Sequence, residues 1–306
     1  MVAVLEGFAL IAAIVAVGWL LGHSGLFGRR EERMLARLTF YVGSPSLLFL
    51  VVSRADVRVI FSGFLVATVI AVAVCSVAYL LIARLVFHRR WAQSVMGGMA
   101  ASYANSNNLG LPIAIYVLGD ATWAAPLLLM QLLLLQPAWL AALDATRSGQ
   151  VSWLRVLRSP FTNPLTISTL LGLGFALAGR QLPEPVLAPV EILGGLAIPC
   201  MLIAFGISLR LSPVPGGRGN RAEIATVVLI KLLLMPAVAW LVAGPVLGLS
   251  TAEVMAVVVM ASLPTAQNVY VLSVAYGRSE DLARDTVFLT TVLALPAMLG
   301  VVAVLG

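Results

Sequence analysis

Apolar blocks long enough to cross a bilayer follow one another along almost the whole chain. They fall approximately at 2–21, 34–53, 59–83, 92–118, 121–143, 161–178, 187–209, 224–247, 252–276 and 285–305. A helical span needs about 20 mostly apolar residues, so each block predicts a transmembrane helix. Ten spans of that length use roughly 200 residues and leave about a hundred for loops and ends. No room remains for a soluble domain. The expected fold class is an all-α membrane protein of ten transmembrane helices.

Composition agrees with the pattern. Of 306 residues, 61% are hydrophobic and 10% charged, with a mean hydropathy of +1.03. A soluble domain carries about 45–50% apolar and about 25% charged residues. The two cysteines, Cys75 and Cys200, lie inside apolar blocks and read as packing residues, with no metal-ligand spacing. No metal site and no cofactor is expected.

The net charge of +6 is distributed by loop. Arg29, Arg30, Arg33 and Arg37 lie between blocks one and two, and Arg84, Arg89 and Arg90 between three and four. Arg147, Arg155 and Arg158 follow block five; Arg210, Arg218 and Arg221 follow block seven; Arg278 and Arg284 follow block nine. Fifteen of the 19 cations thus sit in odd-numbered loops. The positive-inside rule places those loops in the cytoplasm and both termini outside, as expected of a multi-pass protein of the cell (inner) membrane. Cations placed this way mark topology, so no nucleic-acid partner is expected.

The long connection after block five divides the chain in two. The reading is a first five-helix repeat over 1–144, a cytoplasmic linker over 145–160 and a second repeat over 161–306. An odd number of spans per half requires the halves, if related, to be inverted. Prolines recur in register between them: Pro45 with Pro199, Pro137 with Pro296, and Pro112 with Pro264. Proline breaks a helix's hydrogen-bond ladder, so three registered pairs support a 5+5 inverted repeat.

Two blocks carry a dense polar interruption at mid-depth. Block four holds Asn105, Ser106, Asn107, Asn108 and Gly110 before Pro112; block nine holds Pro264, Thr265, Gln267, Asn268 and Tyr270. Asn and Gly are poor helix formers and Pro the worst, so both helices should break there and cross near the midplane. Broken helix ends offer N–H groups and carbonyls to a ligand. The simpler alternative is that these amides only join helices. Gln131 and Gln136 in block five are open to the same two readings, with Gln131 the deeper. Ser46 after Pro45 either lines a cavity or bonds its own backbone. Lys231 is the only cation embedded in a span, an expensive position that predicts a fixed charge near the interruptions. Snorkelling to the headgroups is its alternative.

NSNNLGLPIAIYVLG and ASLPTAQNVYVLSVAYG resemble the fourth- and ninth-helix motifs of the auxin efflux carrier family. SPSLLF and KLLLMP are similar to the same family, so the likeness runs over essentially the whole chain. That family includes the PIN-formed auxin carriers and bacterial malonate or malate permeases. The resemblance implies a fold like that of sodium/proton antiporters and bile-acid symporters. It further implies a scaffold of helices 1, 2, 6 and 7, which would carry a homodimer, and a moving unit of helices 3–5 and 8–10. The substrate side chains would be those named above, with Gln131 favoured over Gln136 because a polar residue there faces the family's cavity.

The function so indicated is secondary transport of a small organic anion by elevator-type alternating access, with the bilayer and a second copy of the chain as the other partners. The alternatives are a sodium-coupled organic anion symporter, or a non-transporting sensor or channel on the same fold. An enzyme is not expected: His23 and His88 lie in loops, and no nucleophile–base set or paired aspartates occurs at depth.

Overall fold

A computed structural model describes residues 2–55, 62–148, 161–180, 182–211 and 221–305, together with Leu154 and Arg158. The described residues form helices joined by short turns and contain no β-strand. Seven helical segments are long and apolar enough to cross a membrane: Glu6–His23, Arg29–Ser53, Gly63–Leu85, Ala121–Thr146, Glu184–Leu211, Arg221–Val246 and Glu280–Leu305. They coincide with seven of the ten apolar blocks.

The other three blocks are helical but not continuous long helices. Block six gives the shorter helix Pro164–Leu177, opened by Asn163, whose Oδ1 accepts the Leu165 N–H at 2.9 Å. Block four is split into Trp91–Ser102 and Leu111–Tyr116, and block nine into Thr251–Ala261 and Gln267–Tyr276. Asn105 lies in the first gap, 103–105, which the wide turn Ser106–Gly110 follows, and Pro264 in the second, 262–266, both poor helix formers. Of the linker 145–160, the helix Gln136–Ser148 takes the first four residues; most of the rest lies outside the described residues.

Several long helices contain a wide π-type turn, at Thr39–Gly43, Ser106–Gly110, Gln131–Leu135, Ile230–Leu234 and Val242–Val246. Such turns cost hydrogen-bond geometry and occur often at functional positions. Three of them hold polar residues singled out from the sequence: Asn107 and Asn108, Gln131, and Lys231.

Close contacts divide the chain into two compact bodies. The first comprises Met1–Ser62, Asn107–Leu132 and Arg158–Pro213; the second comprises Gly63–Ser106, Leu133–Leu157 and Val214–Gly306.

Within the first body, the helix Val2–His23 lies backbone to backbone on Ala197–Leu211. A Cβ added at Gly18 would stand 2.2 Å from the Ile203 carbonyl oxygen, and one at Gly206 2.1 Å from that of Val15. Only glycine permits this approach, a device of membrane helices that cannot rely on a hydrophobic driving force between them. Phe49 and Phe175 meet edge to face at 5.5 Å, and Arg54 pairs with Glu191.

Within the second body, the buried carboxylate of Glu223 accepts the Tyr79 hydroxyl at 2.8 Å and Arg89 Nε at 2.9 Å. Arg89 lies in the loop after Gly63–Leu85, and its hydrogen bond to Glu223 raises its already high pKa further. The contact holds that loop to the first turn of Arg221–Leu229.

Candidate site at the paired helix interruptions

The two interruptions meet within the second body. Ala104 and Thr265 form an isolated antiparallel bridge, the one pairing of β type among the described residues. The Asn105 N–H donates to the Pro264 carbonyl at 2.8 Å, and the Ala266 N–H donates to the Tyr103 carbonyl at 3.1 Å. Breaking a helix at membrane depth leaves backbone groups with no water to bond. Here each break supplies partners to the other.

Side chains satisfy what the bridge does not. The Thr265 N–H donates to Thr290 Oγ1 at 3.1 Å, and that hydroxyl donates to the Thr286 carbonyl at 2.7 Å. Thr265 Oγ1 donates to the Ala100 carbonyl at 2.7 Å, in the last turn of Trp91–Ser102. The Tyr103 hydroxyl donates to Gln136 Oε1 at 3.2 Å. Thr265 and Thr290 are fully buried.

Lys231 belongs to the same body and is also fully buried. Its side chain starts in the wide turn Ile230–Leu234. Nζ reaches Met235 Sδ at 2.9 Å and the Ala261 carbonyl oxygen at 3.4 Å. Ala261 ends the helix Thr251–Ala261, so Lys231 Nζ stands at the negative end of a helix dipole. Among the described residues, Lys231 has no carboxylate partner. Cys75 Sγ lies against the neighbouring Ile230 carbonyl at 4.0 Å.

The structure brings Asn105, Pro264 and Thr265 together directly, and Lys231 reaches the helix end that precedes them. Asn105 and Ser106 are buried. Gln267, Asn268 and Tyr270 form the first turn of the helix after the break; Asn268 and Tyr270 are exposed and Gln267 half-buried. That helix starts at Gln267, three residues beyond Pro264, and not at the proline.

The remaining candidates lie in the first body. Asn107 Nδ2 donates to Asn108 Oδ1 at 3.1 Å in the turn Ser106–Gly110, which leads into Leu111–Tyr116 with Pro112 in its first turn. Gln131 is buried. The Ser46 hydroxyl donates to the Val42 carbonyl at 2.9 Å, one turn back on its own helix.

Sequence reading passed over Tyr103, Thr290 and the part played by Gln136. A tyrosine or threonine within an apolar block carries no signal of its own. Only the long-range pairing shows that they surround the break.

Comparison with protein families gives this geometry its context. The model of the membrane transport protein family matches residues 3–143 and 147–302, nearly the full length. The chain belongs to that family. It is the family to which the auxin efflux carrier motifs pointed, and its members are membrane transporters. A relative from Rhizobium meliloti named "Putative malonate transporter" is 29% identical over 268 residues, covering 85% of this chain and 82% of the relative. A transporter from Methanothermobacter thermautotrophicus, named as uncharacterised, is 26% identical over 294 residues, 94% of each chain. Another from Methanocaldococcus jannaschii, named likewise, is 22% identical over 297 residues, again 94% of each. Family membership and the apolar helices make this chain a multi-pass membrane protein.

Proposed function

We propose that this family member is a secondary transporter of a small organic anion, with a dicarboxylate such as malonate as the first substrate to test. The observation that carries the reading is the Lys231 ammonium on the Ala261 carbonyl, beside the paired interruptions. An anion leaving water for a membrane cavity loses several kcal/mol of hydration unless donors replace it. A fixed cation set at a helix break offsets part of that cost. Within the same body, the amides of Asn105 and Asn268 and the first-turn N–H groups of Gln267–Tyr276 would complete the donor set, with Tyr270 at its margin.

The full reading is a ten-span 5+5 inverted repeat whose interrupted helices cross at the site. Alternating access is of elevator type, with helices 3–5 and 8–10 as the moving unit. Both termini lie outside, and a homodimer forms through the first, second, sixth and seventh spans.

Sodium coupling is the competing reading. A sodium ion at a broken helix takes carbonyl oxygens as ligands. Here the Ala261 and Ala100 carbonyls already accept from Lys231 and Thr265, which favours a carrier without a sodium site at these ends.

Counterflow of labelled malonate in proteoliposomes tests the reading. The expected result is uptake driven by unlabelled malonate inside, unchanged when potassium replaces sodium. Binding without counterflow would favour a sensor or channel, and strict sodium dependence would favour the symporter.

A further inference from the structure

The segment Arg29–Ser53 is helical over 25 residues, about 37 Å at 1.5 Å per residue, against a hydrocarbon core about 30 Å thick. Its far end is fixed in polar surroundings by Arg54, which pairs with Glu191. Counting about 20 residues back from Ser53 brings the edge of the core to the neighbourhood of Met34. The first turns of the helix therefore stand at the level of the phospholipid headgroups.

Those turns carry an ordered basic stripe. At 100° per residue, Arg30, Arg33 and Arg37 fall within about 60° of arc on the helix Arg29–Leu38. All three are exposed. Arg29 is engaged elsewhere, donating to the Leu211 carbonyl at 2.7 Å and so tying the helix start to the end of Ala197–Leu211. Arg33 Nε donates to the Arg29 carbonyl at 2.9 Å, which steadies its guanidinium and leaves the terminal nitrogens outward. Arg30 and Arg37 make no hydrogen bond or ion pair among the described residues. The two acidic neighbours offset the stripe only in part: Glu31, which accepts the Gly28 N–H at 2.8 Å, interacts with Arg30, and Glu32 with Arg29 and Arg33, which leaves Arg37 without an acidic neighbour among them.

An apolar strip adjoins the arginines on the bilayer side. Met34 and Tyr41 are each 65% exposed and Leu38 41%. A guanidinium fan at headgroup depth above an exposed apolar strip matches a molecule with a phosphate at one end and hydrocarbon at the other. We propose that Arg30, Arg33 and Arg37 bind the phosphate of an anionic phospholipid, whose acyl chains lie along Met34, Leu38 and Tyr41. The site belongs to the first body alone and is independent of what the protein transports.

The test uses the purified full chain in neutral detergent, titrated with phosphatidylglycerol, phosphatidylcholine or inorganic phosphate. Native mass spectrometry counts retained lipid, and thermal unfolding reads stabilisation. Phosphatidylglycerol should be retained and raise the Tm, while phosphatidylcholine and inorganic phosphate should not. Replacing the three arginines together (R30Q, R33Q, R37Q) should weaken phosphatidylglycerol binding by about tenfold or more. Equal retention by wild type and variant would overturn the site, and equal stabilisation by inorganic phosphate would make it a site for soluble anions. Should the variant not fold, salt titration of the wild type decides: binding must fall as ionic strength rises, and salt-insensitive binding overturns the proposal.

Discussion

Lys231 Nζ stands 3.4 Å from the carbonyl oxygen of Ala261, so the single lysine of the chain ends on the terminal carbonyl of an interrupted helix. Both of its recorded contacts are uncharged, the other being the thioether of Met235. The arrangement sets the amine of Lys231 where the chain is unwound, and the proposed function takes it as a cation. No carboxylate among the described residues pairs with it.

Lys231→Met should therefore abolish most anion transport while the protein still folds. Exchanging a buried ionic group for an apolar one of similar volume is often neutral or stabilising by about 1–4 kcal/mol. Uptake in proteoliposomes and the Tm are the paired measurements. Wild-type transport by the mutant would remove the charge from the mechanism.

Thr290 holds the unwound backbone through the Thr265 N–H. Thr290→Val keeps the shape and removes the acceptor, leaving a buried N–H orphaned at a cost of about 1–3 kcal/mol. Thr290→Ser restores the hydroxyl and should recover most of the loss. Thermal unfolding of the pair distinguishes a hydrogen-bond role from a packing role, since packing would be lost in Ser and kept in Val.

Asn105 and Asn268 should matter for ligand and Asn163 for stability. Replacing Asn163 by Ala removes an N-cap, worth about 1 kcal/mol, and should leave malonate binding alone. Asn105→Ala and Asn268→Ala should weaken that binding severalfold at similar Tm. Indistinguishable affinities in all three would move the site away from the interruptions.

Cysteines introduced at Ser148 and Gly306 should react with impermeant reagents from opposite sides of the membrane. The cation bias of the odd loops requires it. Labelling of both from one side would exclude an odd number of spans per half.

Gly206→Ala should destabilise the first body by about 1–3 kcal/mol, because its Cβ would meet the Val15 carbonyl and neither backbone can yield easily. The Tm reads this directly, and an unchanged value would mean the two helices separate at little cost.

The seven long helices, and the two blocks that are interrupted, could be read from residue types. Apolar runs of membrane length have one stable solution, and Asn105 or Pro264 within such a run announces a break. The wide turns at Gln131 and Lys231 were not legible, because a π-type turn has no residue signature and arises from packing. Nor could the sequence show that Ala104 pairs with Thr265, 161 positions along the chain. For the same reason Thr290 and Tyr103 looked like ordinary residues of apolar helices. Pro264 itself lies in the unwound segment, and the helix begins at Gln267.

The helix Pro164–Leu177 has 14 residues, about 21 Å of length. A hydrocarbon core of about 30 Å overshoots it by several ångströms. Its exposed side carries the apolar residues Ile167, Leu171 and Leu177. The bilayer accommodates such hydrophobic mismatch by thinning locally, at fractions of a kcal/mol per ångström. On the ten-span reading proposed above, the membrane forms a dimple wherever this helix meets lipid and not a partner subunit. The protein's activity should rise in short-chain lipids and fall in thick, sterol-like bilayers, where the same dimple costs more elastic energy to maintain.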